Sequence, residues 1–326
     1  MDLDERHDPL CAWQANCAKC GPGDEEVERR LNALLDERSA PPPKKPHLST
    51  TQLNMLARCG MQYMFRYKEG LRRPPGVALV VGKGVHGVAA LDLDNKRAWG
   101  DLLPDEAISD LAATAVAKEW DAEPPLLHDG DPDRGGAVDM AVSLAQVHHR
   151  HLAPKIEPVA VERGFRLELP GFPFDLVGYV DVEEENCIRD LKTASKTPPA
   201  TAADTSDQLT LYHLNATVLG QPRKAVALDY LVKGRAAPVT QTSLRGPEDH
   251  ARLLMRVEAA AAVIQSGAYD PTSPDNWWCS AKWCGYWDAT CPYGRRGAVS
   301  VGPRLIDPSR LVSRVEVRPE KEEEAA

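Results

Sequence analysis

Apolar positions in the first half of the chain recur with a helical period. Ser49-Thr-Thr-Gln52 has the form of a capping box and opens a helix through Leu53, Leu56 and Cys59, which the aromatic-rich Tyr63-Met-Phe-Arg-Tyr67 continues. A second helix is predicted around Gly84 to Leu93. Two more follow at about 105–119 and 137–152, separated by a Pro-, Gly- and Asp-containing loop from Glu123 to Gly136. The period then shortens to two. Val159 to Leu169, Phe174 to Val182 and Cys187 to Leu191 read as three strands with short connections, an antiparallel meander. A helix from Thr205 to Leu219, strands Ala225 to Val232 and Val239 to Leu244, and an alanine-rich helix from Glu248 to Ser266 complete the pattern. These elements predict an α/β protein with an N-terminal helical region.

The pattern also divides the chain. Residues 1–46 read as a flexible arm that ends in the extended linker Ser39-Ala-Pro-Pro-Pro-Lys-Lys-Pro46, residues 47–294 as the globular domain, and residues 295–326 as an extension with an acidic tail. No apolar run approaches the ~20 residues of a membrane span. The N-terminus is acidic and lacks the apolar segment of a secretory signal, so a cytoplasmic protein is expected. Eight cysteines in a reducing compartment point to metal ligands or buried thiols rather than disulfides. A net charge of -9 argues against nonspecific coating of duplex DNA. The acidity is uneven, however: residues 1–38 hold ten Asp/Glu against five Lys/Arg, which leaves room for a local basic groove.

Within the meander, Asp190 and Lys192 are two apart on a strand and share a face. If Glu185-Asn186 is a two-residue hairpin turn, counting outward sets residue 184 opposite 187 and Asp181 opposite Asp190. Like charges so placed repel unless a cation lies between them. A divalent ion supplies that charge, with the Leu191 carbonyl as a further oxygen ligand, and magnesium or manganese suits an oxygen-rich site. Such an ion polarises a phosphate and acidifies a bound water, while Lys192 orients that water or offsets transition-state charge. The same residues also read as a solvated acidic hairpin, as Glu183-Glu-Glu185 do.

Taken in order, Gly178-x-x-Asp181, Asp190-x-Lys192-Thr193 and Gln208-x-x-x-Tyr212 resemble the successive motifs of the PD-(D/E)XK nuclease superfamily, in its RecB-like exonuclease branch. Upstream, Gly82-Lys-Gly-Val-His86 resembles the family's helical Gly-x-x-x-His motif and Glu162-x-x-Phe165 its preceding strand. The resemblance implies a restriction-endonuclease-like core, a mixed central sheet flanked by helices with a cysteine-rich, metal-clamped C-terminal lobe, in which His86, Asp181 and Asp190 hold the metal and Lys192 acts on the water. It also implies that Gln208 and Tyr212, one helical turn apart, support the site and contact the nucleic-acid strand. No Gly-x-x-x-x-Gly-Lys-Ser/Thr motor motif is present in the sequence.

Cys279, Cys284 and Cys291 lie in an aromatic-rich tail, and Cys59 lies about 220 residues earlier. One N-terminal cysteine with a C-terminal trio resembles the iron-sulfur staple of the Cas-four-type exonucleases and of AddB, which implies a structural 4Fe-4S cluster shielded by aromatics. The Cys-x4-Cys-x6-Cys spacing is looser than that family's usual trio, and a tetrahedral zinc would satisfy the same four thiolates. His7, Cys11, Cys17 and Cys20 read either as a small zinc site or as reduced cysteines on the arm, and Cys187 as a buried thiol. The function expected is metal-dependent DNA hydrolysis, exonucleolytic on single-stranded or frayed ends, in recombination, repair or phage/CRISPR-related processing. A helicase or recombination protein is the partner expected. The alternative is a nonenzymatic DNA-end-binding or assembly subunit that keeps the fold.

Overall fold

Ser49 opens α1 (Thr50–Arg58) as its side chain implies: Ser49 Oγ accepts from Gln52 N, and Gln52 Oε1 accepts from Ser49 N at 2.7 Å. The computed structural model describes residues 28–30, 32, 46–220, 225–287 and 290–294. His7, Cys11, Cys17, Cys20, most of the proline linker and the acidic tail lie outside them. The chain divides into two compact units, Met1–Thr272 and Ser273–Ala326.

The single helix expected through Cys59 and Tyr67 is interrupted. Cys59 is extended (φ -166°, ψ 114°), and a short α2 (Gly60–Tyr63) restarts and runs into a π-helical turn, Met64–Lys68. The break lets Gly60 meet the main chain of residues 269–270, where an added Cβ would lie 2.8 Å from Asp270 N. The helix expected at Gly84–Leu93 is far longer, α3 (Val77–Trp99), and ends at Gly100 with φ 89°. Its first turns bury Val77, Val80, Val81, Gly84 and Val85, but the outward-facing Ala78 and Leu79 are apolar too, so no amphipathic period shows there in the sequence. α4 (Asp105–Ala122) follows, and α5 (Arg134–Val147), capped by Asp133, continues into a π-helical turn, His148–Leu152. Gly84 allows α3 and α4 to approach, since an added Cβ would sit 2.5 Å from Val116 Cγ2. Of the arm, Arg30 pairs with Asp94 of α3, and Lys118 of α4 donates to Asn32 at 2.6 Å.

The sheet is mixed. β2 (Ala160–Leu167), β3 (Asp175–Glu183) and β4 (Cys187–Ala194) form the expected antiparallel meander, β4 pairs parallel with β5 (Ala225–Val232), and β6 (Val239–Ser243) is antiparallel to β5. A two-residue β1 (His47–Leu48), too short for any sequence period, pairs parallel with the start of β3. Leu176 pairs with both Leu48 and Leu167, and Val182 with both Val161 and Arg189, so β1 and β4 share one edge of β3 and β2 takes the other. On one face α3 and α5 bury Val85, Leu93, Ala141 and Leu144 with Val182, Leu191 and Leu231. On the other, α1, α6 (Asp207–Val218) and α7 (Pro247–Ser266) bury Leu53, Leu211, Leu253 and Val257 with Leu48 and Leu176. Burying each such side chain contributes roughly 1.5–3 kcal/mol. Among the described residues no helix is long and apolar enough to cross a membrane.

Candidate active site

The hairpin between β3 and β4 turns at Glu185-Asn186, closed by Glu184 N donating to Cys187 O at 2.8 Å. Its paired residues, Val182 with Arg189 and Glu183 with Ile188, keep the register that sets Asp181 opposite Asp190. On the other side, Val161 pairs with Val182 and Arg163 with Val180, so Glu162 stands opposite Asp181. Three adjacent strands thus carry a carboxylate at one level of the sheet. Ladder pairing between β3 and β4 stops at Val182 and Arg189, and Asp181 Oδ2 accepts the Leu191 N–H at 2.8 Å instead. Glu162 adopts φ +49°, a left-handed conformation that strains a residue with a side chain and concentrates at functional sites.

His86 reaches this row from α3, with Nδ1 3.4 Å from Asp181 Oδ2. Ligand atoms of His86, Glu162 and Asp181 all lie within 4.8 Å of one another, the spacing of groups that share an ion. Gly82, one turn earlier, packs against the end of β4, where an added Cβ would lie 3.3 Å from Thr193 Oγ1. The Gly-x-x-x-His spacing therefore seats α3 on the strand that carries Lys192.

Asp190 turns to α6 and stands outside that close group. It is fully buried; Lys192 Nζ lies 2.5 Å from its Oδ2 and Tyr212 Oη donates to its Oδ1 at 3.5 Å. Lys192 Nζ also donates to Gln208 Oε1 at 3.0 Å, and Gln208 Nε2 donates to Tyr212 Oη at 2.5 Å, which closes a ring of four side chains. Gly178 makes the ring possible: a Cβ there would lie 2.7 Å from Phe165 Cζ and 3.2 Å from Tyr212 Cε1. Phe165 meets Tyr212 edge to face at 6.0 Å.

Burial pushes the Asp190 carboxyl up, Lys192 partly opposes this, and Asp181 adds to it. Burial alone would depress Lys192, but Asp190 and Asp181 outweigh it and hold the ammonium above its usual value. A lysine so held places a positive charge at the site. Three carboxylates on adjacent strands with one imidazole make an oxygen-rich donor set that fits a divalent cation.

Behind the row lies a cavity of about 20 Å³ lined by His86, Glu162, Asp181, His148, Arg189 and Asp229, room for about one water. Arg189 pairs there with Asp229 at 3.0 Å and with Glu184. Burial pushes the His148 imidazole down to about 4.

Of the residues singled out from the sequence, Asp181, Asp190, Lys192, Leu191, His86, Gln208 and Tyr212 all meet within this one region. Glu162 reads from the sequence only as a strand marker. A signal for it exists: a count across β2 and β3 sets it opposite Asp181. Cys59 is buried at the break between α1 and α2. In the second unit, Cys284 and Tyr286 are buried, Cys279 and Cys291 are half-buried, and Trp277 and Trp283 are exposed.

The sequence matches the PD-(D/E)XK nuclease superfamily over residues 47–294. A solved structure of a proposed exonuclease from Eubacterium rectale is similar, at 14% identity over 79% of this chain and 90% of its own, with a TM-score of 0.49. The crystal structure of SSO0001 is also 14% identical, covering 82% of this chain and 96% of its own, with a TM-score of 0.36. No curated protein matches the sequence. With the mixed sheet flanked by helices, the carboxylates aligned across its strands and a match covering most of the chain, this protein belongs to the PD-(D/E)XK nuclease superfamily.

Proposed function

We propose that this nuclease is a magnesium- or manganese-dependent DNA exonuclease of the RecB-like branch, acting on single strands or frayed ends in recombination, repair or phage/CRISPR-related processing. The observation that carries the reading is the approach of His86, Glu162 and Asp181 to one another, with the buried Asp190 carboxylate at the same level of the sheet. These four residues would hold the ion. The Leu191 carbonyl would join them, because an extended residue directs its N–H and C=O to the same edge and the Leu191 N–H already meets Asp181. A bound divalent ion would supply a Lewis acid for the phosphate and a water of lowered pKa.

The chain's own groups do the rest. Lys192, held protonated, offsets charge developing on the scissile phosphate. Gln208 fixes the direction of that ammonium and, like Lys192, is half-buried, so these two members of the ring are open to the strand. Tyr212, only 2% exposed, positions the strand indirectly, through Asp190 and Gln208. In the same reading, Cys59 and the trio Cys279, Cys284 and Cys291 bind a 4Fe-4S cluster, with zinc as the other occupant their thiolates would take. The support is the donor set and its order in the sequence.

The test uses end-labelled linear and covalently closed circular single strands with manganese, with magnesium and with EDTA. Metal-dependent loss of the linear strand with the circle spared is expected. Equal cutting of the circle would remove the exonuclease assignment.

A further inference from the structure

The segment before α3 carries charge of the opposite sign to the chain as a whole. Against 39 Lys/Arg and 48 Asp/Glu overall, residues 58–73 hold Arg58, Arg66, Lys68, Arg72 and Arg73 with Glu69 the only acid. Arg66, Tyr67, Lys68, Leu71 and Arg72 are exposed. Arg66, Lys68 and Arg72 make no ion pair with another described residue. Their backbone is nonetheless fixed, since Glu69 N donates to Met64 O at 3.0 Å and Leu71 N to Phe65 O at 2.8 Å, around the π-helical turn.

Aromatic rings lie beneath this charge. Tyr269 stacks on Tyr63 with centroids 5.9 Å apart, Tyr63 meets Tyr67 at 5.1 Å, and the Arg66 guanidinium lies 5.7 Å from the Tyr67 centroid. Tyr63 is buried and Tyr67 is the exposed end of the stack. The close approach of Gly60 to residues 269–270 anchors it. A fixed, exposed ring flanked by unpaired cations is what an unpaired base and its phosphates require. The position suits a strand leading to the metal site. Arg72 lies five positions before Val77, at most ~18 Å, and nine positions along α3 lead to His86, about 14 Å more.

Resting on the nuclease reading above, we propose that the Arg66-Tyr67-Lys68 turn with Arg72 is a docking platform for single-stranded DNA leading to the metal site. Tyr67 stacks on a base and the three cations contact phosphates.

Fluorescence anisotropy of a labelled oligothymidylate on the full chain, in calcium to prevent cleavage, across a salt series, tests it. Arg66→Ala/Lys68→Ala/Arg72→Ala should weaken binding more than tenfold and flatten the plot of log K against log salt by about 2, at ~0.7 for each phosphate no longer neutralised. Arg66→Lys/Arg72→Lys should keep the slope. Tyr67→Ala should weaken binding about tenfold at unchanged slope, with Tyr67→Trp restoring it. A folded triple alanine variant with wild-type affinity and slope, while wild type binds and cleaves, overturns the platform and leaves the nuclease reading standing. So does a triple variant that keeps DNA but loses a protein partner. Wild type that neither binds nor cleaves single strands removes both.

Discussion

Glu162 combines two costs in one residue: a left-handed backbone and a carboxylate set opposite that of Asp181. Without metal, such a row is self-repelling, worth a few tenths to ~1 kcal/mol per pair. Glu162→Gln should therefore raise thermal stability in EDTA and sharply reduce the extra stability that manganese confers, because ligands stabilise only the state that binds them. Melting curves with and without manganese read both effects. Equal manganese-induced shifts in variant and wild type would remove Glu162 from the ligand set. Gly178→Ala acts on the opposite face. Its methyl would collide with Phe165 and press on Tyr212, so a loss of about 1–3 kcal/mol is expected on denaturant unfolding. Activity should fall with it, since Tyr212 holds Asp190.

At the level of elements, the β3–β4 hairpin was legible because a two-residue turn leaves one register, whereas the packing that Gly178 permits against Phe165 and Tyr212 shows only in the fold. The direction of Asp190 was not legible either. Parity puts it on the Lys192 face, but that this face meets α6, where Tyr212 and Lys192 take its oxygens, is decided by tertiary packing. The true start of α3 was hidden because its outward positions there, Ala78 and Leu79, are as apolar as its buried ones and leave no polar stripe. The π-helical turn after α5 makes a pH prediction. His148, buried with its pKa near 4, stays neutral when folded, so its contribution is complete above the ordinary value of 6.5 and is lost as pH falls from 6.5 to about 4. The span corresponds to about 3 kcal/mol. His149 is raised by its bond to Asp92 (2.9 Å), so its contribution is present below 6.5 and is lost as pH rises through the raised value. Urea unfolding at pH 7 and pH 5 should show His148→Gln losing less stability on acidification than wild type. An identical loss would remove His148 as a source.

On the scale of the whole molecule, the sequence motifs converge because α3, the meander and α6 bring residues 86, 162, 181, 190, 192, 208 and 212 together across one sheet. The four cysteines belong to both units of the chain, Cys59 to the first and the trio to the second. Their reading rests on ligand chemistry and order, which a sequence shows as well as a fold does. Anaerobic preparation should give a brown protein containing iron and sulfide, both lost in Cys284→Ser, whereas a colourless protein with only zinc would replace the cluster with a zinc clamp. The proposed DNA hydrolysis by one metal centre, supported by Asp190 and Lys192, is tested by the rate of manganese-dependent degradation of linear single-stranded DNA by wild type, Asp190→Asn and Lys192→Ala, with folding followed by circular dichroism. Activity should be abolished by EDTA and reduced by at least ~10²-fold in each folded variant. Wild-type rates in both variants, or hydrolysis undiminished by EDTA, would contradict it.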